Sequence, residues 1–181
     1  VIINKVSIGL LFTFIFYPKD GPFVEMIRAF GYEKTVNVLG NVHLAIWGTA
    51  FVLIWCNVGF YMILFSSAMA TIPEELMEAS ILDGANARQK FFYVTVPLMR
   101  GTIGVAVTLI LMNAFKVYDL IVALTGGGPG NATEVLSTYL FKNAFYYSRF
   151  GYANAIGVMM VACSMVITVV VHIIQHYLDR K

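Results

Sequence analysis

The chain has 181 residues, 59% of them apolar and 12% charged, with a mean hydropathy of +0.78. Water-soluble domains carry about a quarter charged residues, so this balance excludes an ordinary soluble domain and points to helices in a bilayer. The formal charge of +2, spread without a basic run, argues against a nucleic-acid partner.

Taken in order, the chain opens on Val1 and runs at once into apolar sequence, without the basic flank and cleavage site of a signal peptide. It therefore reads as having lost an N-terminal portion. Residues 1–17 end in Phe14, Phe16 and Tyr17, which suits the outer end of a truncated spanning helix. Pro18 to Pro22 stop it, an amphipathic piece follows from Phe23 to Phe30, and a polar connection continues to about Gly40. Ala45 to Ala70 is almost wholly apolar and long enough to cross the hydrocarbon, which needs roughly 20 residues. Trp47 and Trp55 are open to interface or packing roles. Cys56 and Cys163 sit in separate apolar runs and read as packing residues, with neither a disulfide nor a metal site expected.

Residues 71–101, TIPEELMEASILDGANARQKFFYVTVPLMRG, form a charged segment between two apolar runs. Thr71 with Glu74 three residues on matches a capping box, and Pro73 suits a first turn. A helical wheel places Glu74, Glu75 and Glu78 on one side and Leu76, Met77, Ser80 and Ile81 on the other. Asp83-Gly84-Ala85 interrupts the helix, because glycine tolerates left-handed backbone. A second short helix with Arg88, Lys90, Phe91 and Phe92 then runs to Pro97. The pattern predicts a helix–turn–helix elbow at a membrane surface, with a face for another protein.

Thr102 to Leu124 reads as the next span, with Lys116 and Asp119 on one helical face. Charges there either snorkel at the outer end or line a passage. TGGGPGNAT, residues 125–133, is a tight loop and lacks the Lys-Ser/Thr of a phosphate loop. Asn131 or Thr133 can cap the helix that follows, Glu134 to about Tyr147, whose aromatics suit a water–lipid boundary. Gly151 to Gln175 is the last span; Gly151, Ala153, Ala155 and Gly157 would admit a neighbouring helix. His172 and His176 have zinc-like spacing without an acidic partner, so a membrane-edge role is preferred and no metal is expected. Apart from Lys5 and Lys116, which lie within apolar runs, the lysines and arginines divide five against five between the two sides, which leaves orientation open.

These residues resemble a family. Glu78, Ala79, Ser80, Gly84 and Val94-Thr95-Val96-Pro97, within the longer set Ile72, Pro73, Glu75, Leu76, Asp83 and Ala85, are similar to the EAA loop of ABC-transporter permease subunits. Ser80 replaces an alanine of that pattern, and Met99-Arg100-Gly101 stands where the family has a further proline. Phe115 to Asp119, Leu124 to Pro129, Thr133-Glu134, Ala144-Phe145 and Phe150 to Ala155 resemble the carbohydrate, maltose-transporter-like branch. The resemblance implies an all-α polytopic membrane fold, the transmembrane domain of a type I ABC importer. It takes residues 1–181 as one N-terminally truncated permease domain with about four of the roughly six family spans, and 71–101 as its cytoplasmic coupling loop.

It further implies a plasma membrane of a bacterium or archaeon, with the C-terminus cytoplasmic and the Gly-rich loop outside. The partners would be ABC ATPase subunits, a second permease, an extracytoplasmic solute-binding protein, lipid and a sugar. The chain would not hydrolyse ATP itself, having no P-loop and no acid–base constellation, and would hold no cofactor. Glu75, Glu78, Ala79, Ser80, Asp83 and Gly84 become the ATPase-coupling residues. Matching stretches, Asn57 to Tyr61 and Asn113 to Val117, make Asn57, Phe60, Tyr61 and Asn113 the sugar-path residues, since aromatic faces and amides suit a sugar. Alternatives are an ABC importer of another solute, such as glycerol phosphate, and an ion-coupled secondary carrier using Lys116 and Asp119.

Overall fold

The computed structural model describes residues 4–31 and 36–179, which are helical with no strand among them. In order come α1 (Lys5–Ile15), α2 (Pro22–Ala29), α3 (Val42–Ala70), α4 (Glu74–Leu82) and α5 (Ala87–Lys90). A π-helical turn, Phe91–Thr95, leads into α6 (Val96–Leu98) and α7 (Arg100–Lys116). Then follow α8 (Asp119–Leu124), α9 (Leu136–Phe141), a second π turn at Lys142–Tyr146, and α10 (Phe150–Asp179). Val42–Ala70 and Phe150–Gln175 are each long and apolar enough to cross a membrane, and Ala87–Leu98 with Arg100–Lys116 pass that test as a bent pair. At about 1.5 Å per residue α3 reaches well past the roughly 30 Å hydrocarbon core, whereas the 11 residues of α1 do not.

Two compact units make up the chain: Val1–Val58 with Ala114–Val161, and Gly59–Asn113 with Ala162–Lys181. In the first, Asn4 caps α1 and Asn41 caps α3, each accepting a backbone N–H on its side-chain oxygen. Ile8, Phe12 and Phe16 of α1 share a core with Val38, Val52, Val117, Leu120, Ile121 and Leu124. Helices α1 and α8 approach so closely that a Cβ on Gly9 would lie 2.7 Å from that of Ala123. Trp55 packs edge-on against Phe12 at 5.2 Å with its other side exposed, and Trp47 is more exposed still.

The expected span Thr102–Leu124 is not continuous. Helix α7 ends at Lys116, Val117 and Tyr118 are non-helical, and α8 begins at Asp119. The Val117 carbonyl accepts the Ser137 hydroxyl at 3.0 Å, while Leu120, Ile121 and Leu124 bury in the α1 core. Tertiary burial thus outweighs helix continuation. Lys116 and Asp119 consequently lie on different helices rather than on one face, and both are exposed.

Residues 125–133 do form a tight loop. The Thr125 and Thr133 hydroxyls meet at 2.6 Å, and Thr133 Oγ1 also donates to the Gly128 carbonyl at 2.8 Å. Neither Asn131 nor Thr133 caps α9, because Thr133 is spent inside the loop. Instead the Thr138 hydroxyl accepts the Val135 N–H at 3.0 Å. A Lys142–Glu134 ion pair of 2.5 Å ties the loop's end to the second π turn. Of the small residues opening α10, Ala153 is buried and Gly157 lies 3.5 Å, measured from a built Cβ, from Leu140, while Gly151 and Ala155 are exposed.

Candidate functional site

The second unit contains the elbow. Helix α4 starts after Pro73, whose missing N–H is one that a first turn leaves unpaired in any case. Thr71 does not cap it. Its hydroxyl turns back to the Ala68 carbonyl at 2.7 Å, a bond that closes α3 instead. Glu74 and Glu75 occupy the first turn of α4, where the positive end of the helix dipole favours carboxylates.

The end of α4 is a Schellman motif. Gly84 has φ +76°, its N–H reaches the Ile81 carbonyl at 3.0 Å, and the Ala85 N–H reaches that of Ser80 at 3.0 Å. Nothing lies within 4 Å of a Cβ built on Gly84, so glycine is required there by backbone conformation and not by crowding. Asn86 and Gln89 then form a reciprocal capping box, both bonds 2.9 Å, that starts α5. Asn86-x-x-Gln89 carries the same capping signal in sequence as Thr71-x-x-Glu74, and it is the one that forms.

Pro97 accounts for the π turn before it. A proline in a helix lacks the N–H that would bond four residues back and crowds that carbonyl, here Tyr93. The backbone relaxes into the wider register, with the Val96 N–H bonding the Phe91 carbonyl. Just beyond, α7 departs from Ala87–Leu98 at 72°.

Among the six residues assigned to the elbow, Glu75, Glu78, Ala79, Asp83 and Gly84 are exposed. Ser80 is buried, and its hydroxyl donates to the Met77 carbonyl at 2.7 Å, which explains why only a small side chain stands where the family pattern has alanine. The expected apolar side of α4 is not packed away. Met77 is half-buried, but Leu76 is 44%, Ile81 60% and Leu82 88% exposed. The elbow therefore presents carboxylates and bare aliphatic side chains together, a combination suited to a protein partner.

The four sugar-path residues fall in both units: Asn57 in the first, Phe60, Tyr61 and Asn113 in the second. Phe60 and Tyr61 meet edge-to-face at 5.2 Å. The Asn57 amide donates to the Leu53 carbonyl of its own helix at 2.7 Å, and Asn113 is exposed on α7. A cavity of about 510 Å³ in the first unit is lined by other residues: Ala114, Phe115, Glu134, Val135, Leu136 and Tyr139. Both cysteines are free thiols. Among the described residues no three His, Cys, Asp or Glu side chains gather at a metal-sized site, and the side chain of His176 lies outside those described.

Residues 2–181 match the family model described as binding-protein-dependent transport system inner membrane component. The chain is 39% identical over 169 residues to a Bacillus subtilis protein named "Probable ABC transporter permease protein YurN", covering 93% of this chain and 58% of that one. It is 35% identical over 180 residues to the multiple sugar-binding transport system permease protein MsmF of Streptococcus mutans, covering 99% and 60%. In structure it superposes, with a TM-score of 0.86 and 23% identity, on a chain of a bacterial ABC transporter involved in the import of the acidic polysaccharide alginate, covering 97% of this chain and 62% of the other. It thus spans about three fifths of the length of these relatives.

Proposed function

The chain belongs to the family of binding-protein-dependent transport system inner membrane components, and on that premise we propose that it is a transmembrane permease subunit of an ATP-driven sugar importer. ATP hydrolysis takes place in a separate ABC ATPase subunit. A second permease and an extracytoplasmic solute-binding protein complete the assembly in a bacterial or archaeal plasma membrane. Residues 71–101 face the cytoplasm and carry the coupling. The supporting observation is the elbow itself: a short helix with exposed Glu75, Glu78 and Asp83 beside bare Leu76, Ile81 and Leu82, ended by a left-handed Gly84. Its carboxylates pair with basic groups in a cleft of the ATPase subunit, and its aliphatic side chains fill that cleft. Closure of two ATPase subunits pushes the elbows and rocks the spans between inward- and outward-facing states.

Asn57, Phe60, Tyr61 and Asn113 are proposed to line the sugar path. Phe60 and Tyr61 offer aromatic faces at the surface of α3, and Asn113 offers an amide on α7. The break at Val117 and Tyr118 puts Lys116 and Asp119 on different helices, which takes away the shared helical face that suggested an ion-coupled carrier. The test is a reconstituted complex in which sugar-loaded binding protein stimulates ATP hydrolysis and uptake. Glu78→Lys is expected to abolish the stimulation while basal hydrolysis by the ATPase subunit persists; full stimulation in that variant would overturn the coupling role.

A further inference from the structure

On the reading that the elbow receives a push from an ATPase subunit, we propose that Gln175 is a positioning residue that latches the last span to the elbow's exit. Gly104 is the notch that admits it, so that α7 and α10 are displaced there as one body. Gln175 ends the apolar stretch Phe150–Gln175, where an amide is costly unless its N–H groups find acceptors. Its Nε2 donates to the backbone carbonyls of Gly101 at 3.3 Å and Arg100 at 3.5 Å. These are the first two carbonyls of α7, immediately past the 72° bend.

The notch is specific. Gly104 is buried, and a Cβ built on it falls 2.8 Å from Gln175 Cγ and closer still to the carboxamide. Any side chain at 104 would occupy the space that the amide uses. Around the contact lies an apolar cavity of about 350 Å³, lined by Val96 before the bend, Ile103 and Val107 of α7, and Val171 and Ile174 of α10. Gln175 is half-buried there, with its bond to Gly101 on the more exposed side. The mechanical consequence follows from the bend. A push along the elbow can be absorbed there by a change of angle, unless the first turn of α7 is held from a second side. Gln175 supplies that second hold.

The test uses the complete transporter, reconstituted with its ATPase subunits, second permease and solute-binding protein, in a background where Cys56 and Cys163 are alanine. Gly104→Cys is combined with Gln175→Cys, the shorter side chain at 175 vacating the space that the new one enters. Oxidation, or a short bifunctional thiol reagent, is expected to join the two positions within one chain and to leave sugar uptake per ATP unchanged. Absence of the cross-link, or uptake lost on cross-linking and regained on reduction, overturns the latch. Gln175→Leu keeps the apolar surface and removes the bonds. It is expected to lower the sugar moved per ATP about threefold, the weight of one interhelical side-chain hydrogen bond in a bilayer; an unchanged ratio overturns the proposal. Glu78→Lys, run in parallel, reports on the elbow alone: if that variant stays coupled while the cross-linked protein transports, the coupling reading is what has failed.

Discussion

Gly84 and Ser80 fix the elbow for different physical reasons, and the difference is measurable. Gly84 holds φ +76° with open space where a Cβ would stand. Gly84→Ala therefore carries only the left-handed backbone penalty, about 1 kcal/mol of stability, read as a fall of a few degrees in the melting temperature of the purified complex. Gly84→Asn is expected to cost less, because asparagine tolerates this region. Ser80 is small because it is buried. Ser80→Leu overpacks α4 against its neighbours and is expected to cost about 1–3 kcal/mol in the same measurement, whereas Ser80→Ala loses only a local hydroxyl bond and is expected to be mild.

At the scale of elements, the extracytoplasmic loop of the proposed topology is held by side-chain oxygens. Thr133 bonds both Thr125 and the Gly128 carbonyl. Thr133→Val removes both bonds in a part-buried loop at a cost of about 1–3 kcal/mol. Hydrogen exchange of residues 125–133 is expected to accelerate, while that of α10 stays unchanged. Likewise the π turn at Phe91–Thr95 depends on Pro97. Pro97→Ala restores a helical N–H and is expected to convert the turn to α-helix and open the 72° bend, measured as a changed spin-label distance between α5 and α7.

For the whole molecule, family membership and fold follow from the match over residues 2–181 and the superposition on the alginate-transporter chain. The proposed docking of an acidic elbow onto a basic cleft adds a salt dependence. Stimulation of ATP hydrolysis by loaded binding protein is expected to fall as the screening length shrinks from about 10 Å at 0.1 M salt to about 3 Å at 1 M. Glu78→Gln should flatten that dependence, and bare Leu82 should preserve part of the docking in both.

Sequence alone determined the features that depend on composition and on single residues. Bilayer-length apolar content placed α3 and α10, Gly84 marked the end of α4, and the Thr125–Thr133 run could only be a loop. Those are local facts, since a hydrocarbon slab reads hydropathy and a left-handed turn reads glycine. What lies between was decided elsewhere. The apolar run Thr102–Leu124 breaks at Val117, where Ser137, twenty residues on, takes its carbonyl and where the turn lets Leu120, Ile121 and Leu124 of α8 bury against α1. Thr71 yields its capping role to nearer bonds with α3, and Asn86 takes up capping one helix later. In the sequence Gln175 only bounds the last span, and the tertiary structure seats it in the notch at Gly104. In each case the competing local choices differ by only a kcal/mol or so, roughly the worth of one hydrogen bond, and long-range packing settles differences of that size.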